Sequence, residues 1–118
     1  MGKILLVDDE PDMLEVWMLF LRPTGHEVKK AHNGEEALTI AQTFLPDLMI
    51  LDLMMPGVSG EDVLKQSKDI EAMKNIQIIV VSAHPKGEEL AQGLGAHGFL
   101  AKPVHLDQFQ ATVKKHLG

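Results

Sequence analysis

At 118 residues, 45% of them hydrophobic, the chain is long enough to bury one core and too short for two ordinary domains. Its 11 Lys plus Arg against 17 Asp plus Glu leave a net charge of −6, which repels a phosphate backbone and argues against direct nucleic-acid binding. The absence of cysteine excludes disulfides, thiolate nucleophiles and Cys-ligated metal centres, and fits a reducing, cytoplasmic setting.

Short aliphatic runs alternate with amphipathic segments, the pattern of βα units around a parallel sheet. Residues 3–7 form the first run, nearly continuous in apolar side chains, as suits a strand covered on both faces. Pro11 then favours a first helical turn, and the helix it opens places Met13, Val16, Trp17, Phe20 and Leu21 on one face. Residues 27–31 are a weaker, more polar strand suited to a position nearer the sheet edge. Asn33 is a good N-cap for the second helix, Glu36 completes a capping-box pattern, and Ala37, Ile40 and Ala41 form the buried stripe. Residues 48–51 are a second continuous strand, followed by a third helix that Ser59 and Asp62 cap more weakly. Residues 78–81 are a third central strand, residues 86–93 a fourth helix and residues 98–101 a second edge-like strand. A last helix over residues 106–117 carries Leu106, Phe109, Val113 and Leu117 on one side.

No stretch approaches the roughly 18 consecutive apolar residues of a membrane span. Nor do residues 1–21 read as a signal peptide, since Asp8, Asp9, Glu10 and Asp12 fall where its apolar core belongs.

In an open parallel sheet, ligands bind outside the carboxyl ends of the strands. The residues just past the apolar runs are Asp8 and Asp9, Asp52, Ser82 and Lys102. Three carboxylates crowded together recruit a hard divalent cation, and oxygen ligands without His or Cys point to Mg²⁺. A carboxylate beside such an ion is a nucleophile toward phosphorus, with Lys102 and Ser82 placed to hold the transferring oxygens.

Four segments, Asp8-Asp9-Glu10-Pro11, Asp52 through Pro56 with Gly60 following, Ser82-Ala83, and Phe99 through Lys102-Pro103, match in order and spacing over almost the whole chain. Together they resemble the CheY-like receiver domains of two-component response regulators. The resemblance implies a flavodoxin-like (βα)5 doubly wound sandwich, with a five-stranded parallel sheet of order 2-1-3-4-5 and helices on both faces. It implies one receiver domain over residues 1–118, with Asp52 as phosphoacceptor. Asp8 and Asp9 are the implied acidic pair for Mg²⁺, joined by Asp52 and the Met54 carbonyl. Ser82 and Lys102 are the implied phosphoryl contacts. Ser82, Phe99 and Pro103 belong to the implied switch, with a cis Lys102–Pro103 peptide; Phe99 stands where Tyr is commoner and lacks its hydroxyl. The implied partners are a histidine kinase or histidine phosphotransfer domain and an output protein or domain outside this chain, with the regulator a monomer or a phosphorylation-dependent dimer.

Singly, each residue has a blander reading. Adjacent Asp8 and Asp9 suit a helix start, Asp52 a turn, Lys102 a solvated surface and Ser82 an N-cap. Jointly those readings fail. Residues 93–98 match G-x-G-x-x-G literally, but follow a helix and precede a strand, the reverse of a dinucleotide site. The six histidines show no ligand spacing and read as surface or loop residues. The resemblance implies that His84 and Met54 occupy positions whose side chains influence loss of the phosphoryl group. On the first helix, Met18 and Leu19 fall beside or opposite the core stripe, a candidate docking patch for the phosphodonor.

The function expected is a signalling switch rather than a turnover enzyme. The alternative is a Mg²⁺-dependent phosphohydrolase with an aspartyl-phosphate intermediate. Such enzymes of the dehalogenase type need a second acid two residues after the nucleophile, where this chain has Met54. A degenerate receiver that binds partners without phosphorylation is disfavoured by the intact Asp8, Asp9, Asp52, Ser82 and Lys102.

Overall fold

Alternation of side chains along three apolar strands dictates a sheet buried on both faces, and the computed structural model, which describes residues 2–117, has this arrangement. Five parallel strands, β1 (Lys3–Val7), β2 (Glu27–Ala31), β3 (Leu48–Asp52), β4 (Gln77–Ser82) and β5 (Gly98–Ala101), lie in the order β2-β1-β3-β4-β5. The helices between and after them are α1 (Pro11–Leu21), α2 (Gly34–Phe44), α3 (Gly60–Ser67), α4 (Gly87–Gly93) and α5 (Leu106–Leu117). This is the doubly wound order expected, with the polar β2 and the short β5 at the edges. Short 3-10 turns at Arg22–Thr24 and Glu71–Met73 lack the apolar periodicity that would announce them. Among the described residues no helix is long and apolar enough to cross a membrane.

Register explains the two cores. Leu6 lies beside Lys30 on one side and Ile50 on the other, and Leu51 beside Val7 and Val80, so side chains of one parity share a face across the sheet. Leu5, Val7, Met49, Leu51, Ile78 and Val80 join residues of α2, α3 and α4 in one cluster. Ile4, Leu6, Leu48, Ile50, Ile79 and Val81 join residues of α1 and α5 in the other. Right-handed crossovers demand this split, because the winding direction reverses at β1. Trp17 and Phe109 pack in the second core with centroids 5.9 Å apart, and Phe20 meets Phe109 edge-on at 5.4 Å.

Two helical stripes differ from expectation. On α1 the buried residues are Leu14, Trp17 and Leu21, while Met13, Met18 and Phe20 pack at the margin and Val16 is exposed. Nearly every α1 residue is apolar, so periodicity alone does not select the face. Leu106 is also exposed; it begins α5, a turn before Phe109 reaches the core.

The caps show a similar exchange. Asn33 Oδ1 accepts from Glu36 N at 2.8 Å as expected, but the Glu36 carboxylate accepts from His32 N at 3.2 Å, one residue before the cap. The Ser59–Asp62 pair, the weaker pattern in sequence, forms the complete reciprocal box. The six histidines are exposed or half-buried. Three of them secure the N-terminal edge of the sheet: His26 Nδ1 accepts from Gly2 N at 2.8 Å, His97 Nδ1 from Ile78 N at 2.9 Å, and His116 bonds the Gln77 amide. The glycine-rich stretch runs from the last residue of α4 into the first of β5, so it closes a helix rather than opening one.

Candidate functional site

Asp8, Asp9, Asp52, Ser82 and Lys102 stand at the carboxyl ends of their strands, whereas Phe99 lies inside β5. Asp8 follows β1, and its N–H donates to Ala31 O of β2 at 3.2 Å, which ties the loop to the sheet. Asp52 ends β3 with α3 packed directly behind it. A side chain on Gly60, the first residue of α3, would put a Cβ 2.2 Å from the Asp52 carbonyl oxygen, so only glycine permits this approach. Ser82 ends β4, and its carbonyl accepts from Lys102 N at 3.0 Å, which anchors the segment after β5. The Lys102–Pro103 peptide is cis.

These elements bring Asp8, Asp52, Ser82 and Lys102 together. Asp8, Asp52 and Ser82 are 0%, 4% and 2% exposed, unusual for polar residues and tolerable because each has a partner. Lys102 Nζ lies 3.2 Å from Asp8 Oδ2 and 3.6 Å from Asp52 Oδ1, bridging the two buried acids. Asp8 Oδ1 accepts from Glu10 N at 2.9 Å. Asp52 Oδ1 accepts a long bond from Met54 N at 3.4 Å, and among the described residues no bond falls on Oδ2. Ser82 Oγ accepts from His84 N at 3.0 Å, and His84 Nδ1 accepts from Lys86 N at 3.0 Å, so the loop after β4 closes on itself.

The electrostatics follow from burial among like charges. Burial pushes the Asp52 carboxyl up to about 6; Lys102 and the Met54 N–H oppose this, while Asp8 and Asp9 add to it. Burial alone would pull the Lys102 ammonium down, but attraction to Asp52 and Asp8 outweighs it and holds the group above its ordinary value.

Asp8, Asp9 and Glu10 offer carboxylate oxygens within 4.8 Å of one another. Glu10 was not among the expected ligands, although it directly follows the acidic pair. The donors are all oxygen, the set that suits a hard divalent cation, and the bridging by Lys102 shows that the buried acids already require positive charge there. Asp52 stands across Lys102 from this acidic turn. Met54 is 60% exposed beside it, and Phe99 is half-buried behind Ser82.

The fold and this rim of acids, hydroxyl and ammonium define a receiver, and comparison with known proteins agrees. Residues 4–114 match the family model of the response regulator receiver domain. The chain belongs to that family. It is 33% identical to the polar-differentiation response regulator DivK of Brucella anthropi over 98% of this chain and 96% of that protein. A putative response regulator from Chloroflexus aurantiacus superposes with a TM-score of 0.92 at 31% identity, covering 98% of this chain and 97% of the other. The chemotaxis protein CheY4 of Vibrio cholerae superposes with a TM-score of 0.90 at 29% identity, covering 99% of both chains. Receiver domains of two-component systems are mainly signalling switches that interact with histidine kinases and output domains.

Proposed function

We propose that residues 1–118 form one receiver unit whose Asp52 accepts a phosphoryl group from the phosphohistidine of a histidine kinase or phosphotransfer domain. The observation that carries this reading is a buried carboxylate with its contacts on Oδ1, set beside the Lys102 ammonium at 3.6 Å, which also reaches Asp8 of the acidic turn at 3.2 Å. The free oxygen of Asp52 attacks phosphorus, the P–N bond to the donor imidazole breaks, and the leaving ring nitrogen takes a proton from solvent. Lys102 neutralises a phosphoryl oxygen. Ser82 Oγ, which accepts from His84 N, keeps its own proton to donate to another. Asp8, Asp9, Asp52 and the Met54 carbonyl would hold Mg²⁺, whose chemistry when bound is to neutralise charge on the transferring group. Movement of Ser82 toward that group alters the surface of α4, β5 and α5, with Phe99 and Pro103 in the linkage.

Intact mass after incubation with acetyl phosphate and Mg²⁺ tests the reading. The native chain gains one phosphoryl adduct, and both Asp52→Asn and a chelator abolish it. An adduct that persists under both conditions rejects the mechanism.

The docking patch for the donor changes with the fold. Met18 packs at the margin of the second core, so the exposed apolar pair on α1 is Val16 and Leu19, three residues apart on one face. Replacing both by Ser slows transfer from the partner by about tenfold, in line with loss of a small apolar contact, without slowing acetyl phosphate. Equal slowing with both donors removes α1 from the interface.

A further inference from the structure

We propose that Gly87 is a positioning residue of the switch: its missing side chain is the clearance through which the Ser82 hydroxyl acts on the Phe99 ring. The inference rests on the reading of Asp52 as phosphoacceptor and extends it to a residue with no part in the chemistry.

Gly87 opens α4 and is buried, although its neighbours at positions 83–86 and 88–90 are exposed. Glycine is a poor helix residue, and its use at the head of a seven-residue helix calls for a packing reason. The surroundings supply one. A Cβ at this position would lie 2.9 Å from Ser82 Cβ, 3.0 Å from Ser82 Oγ and 3.1 Å from Phe99 Cε1. Ser82 Cβ belongs to the interior strand β4 and cannot retreat. The hydroxyl, the ring edge and the start of α4 therefore share one space the size of a methyl group.

In the structure Ser82 Oγ is held within its own loop by His84 N. When the hydroxyl turns toward a phosphoryl group on Asp52, it vacates part of that shared space. The Phe99 ring borders the same space and is half-buried against the core beneath α4, so it is placed to follow. A methyl group at position 87 fills the clearance whether or not the hydroxyl has moved. Ring position then ceases to depend on Ser82. Gly93 in the same helix has no heavy atom within 4 Å of its would-be Cβ and provides the control.

The test is amide NMR of the full chain before and after phosphorylation by acetyl phosphate with Mg²⁺, alongside the rate of adduct formation. Gly87→Ala forms the adduct within about twofold of the native rate, while its shift changes in β5 and α5 fall by about threefold or more. Gly93→Ala responds as the native chain does. Phe99→Leu removes the ring that should follow Ser82 and loses a similar share, and Gly87→Ala with Phe99→Leu loses no more than either change alone, because both act on one step. A native-sized response in Gly87→Ala, or losses that add in the double variant, overturns the proposal. Should Gly87→Ala fail to fold, Phe99→Leu alone must lose the response to a similar degree, and an undiminished response there overturns it equally. A native chain that gains no adduct sinks the phosphoacceptor reading and this inference with it, whereas a native adduct with indifferent Gly87 sinks this inference alone.

Discussion

Lys102→Met is expected to destabilise the protein by about 3 kcal/mol or more at neutral pH in the presence of a chelator, the range for removing one partner of a buried ion pair. The ammonium is the only cation bridging Asp8 and Asp52 among the described residues, and both acids are almost wholly buried. Methionine matches the lysine stem in length and keeps most of its packing, so the loss isolates charge from volume. Urea denaturation measures it. Adding Asp52→Asn to the same chain removes one of the two orphaned charges and restores a large part of the stability, because the two sites are coupled through direct contact. A loss below about 1 kcal/mol, the scale of an exposed pair, means that the acids do not depend on this cation.

Asp52→Asn in the otherwise native chain is expected to stabilise the fold at pH 7.5, by about 1 to 3 kcal/mol. The upper figure comes from 1.36 kcal/mol per pH unit between the ordinary carboxyl value of 3.8 and the value of about 6 in the fold. Because the folded-state value is raised, the folded chain binds more protons than the unfolded chain between those limits, and stability falls as pH rises through them. Below pH 3.8 Asp52 contributes no penalty; above about 6 the penalty is complete. The lower figure allows for the cost of burying the amide in the carboxylate's place. The stability gain of the variant therefore shrinks toward zero between pH 7.5 and pH 4, which denaturation midpoints at the two pH values resolve. A gain of equal size at both would show that buried charge is not its source.

Much of this arrangement is legible in the sequence because strand ends project onto one edge of a parallel sheet. Three runs of aliphatic residues locate β1, β3 and β4, and the residue after each run is then a site candidate without further geometry. What escapes is whatever depends on neighbours distant in the chain. Val16 and Leu14 are equally apolar, and only the direction in which α1 crosses the sheet decides which is buried. Leu106 fits the helical period of Phe109 and Val113 yet lies beyond the reach of the core. Glu10 follows the acidic pair in sequence, but only the turn brings its oxygens within 4.8 Å of those of Asp8 and Asp9. Lys102 is 94 residues from Asp8, and its bridging of two buried acids is a property of the folded rim. Gly87 carries no chemical signal at all, since its significance is the Ser82 and Phe99 atoms that meet around it.

The strand that carries Phe99 is a margin of the sheet. β5 has four residues and is joined to the others through β4 alone. A rocking of this short strand disturbs one ladder of hydrogen bonds and leaves β2, β1 and β3 in register. On the proposed reading, the mechanical work of signalling is confined to one flank, and the foundation that keeps Asp8 and Asp52 aligned is spared.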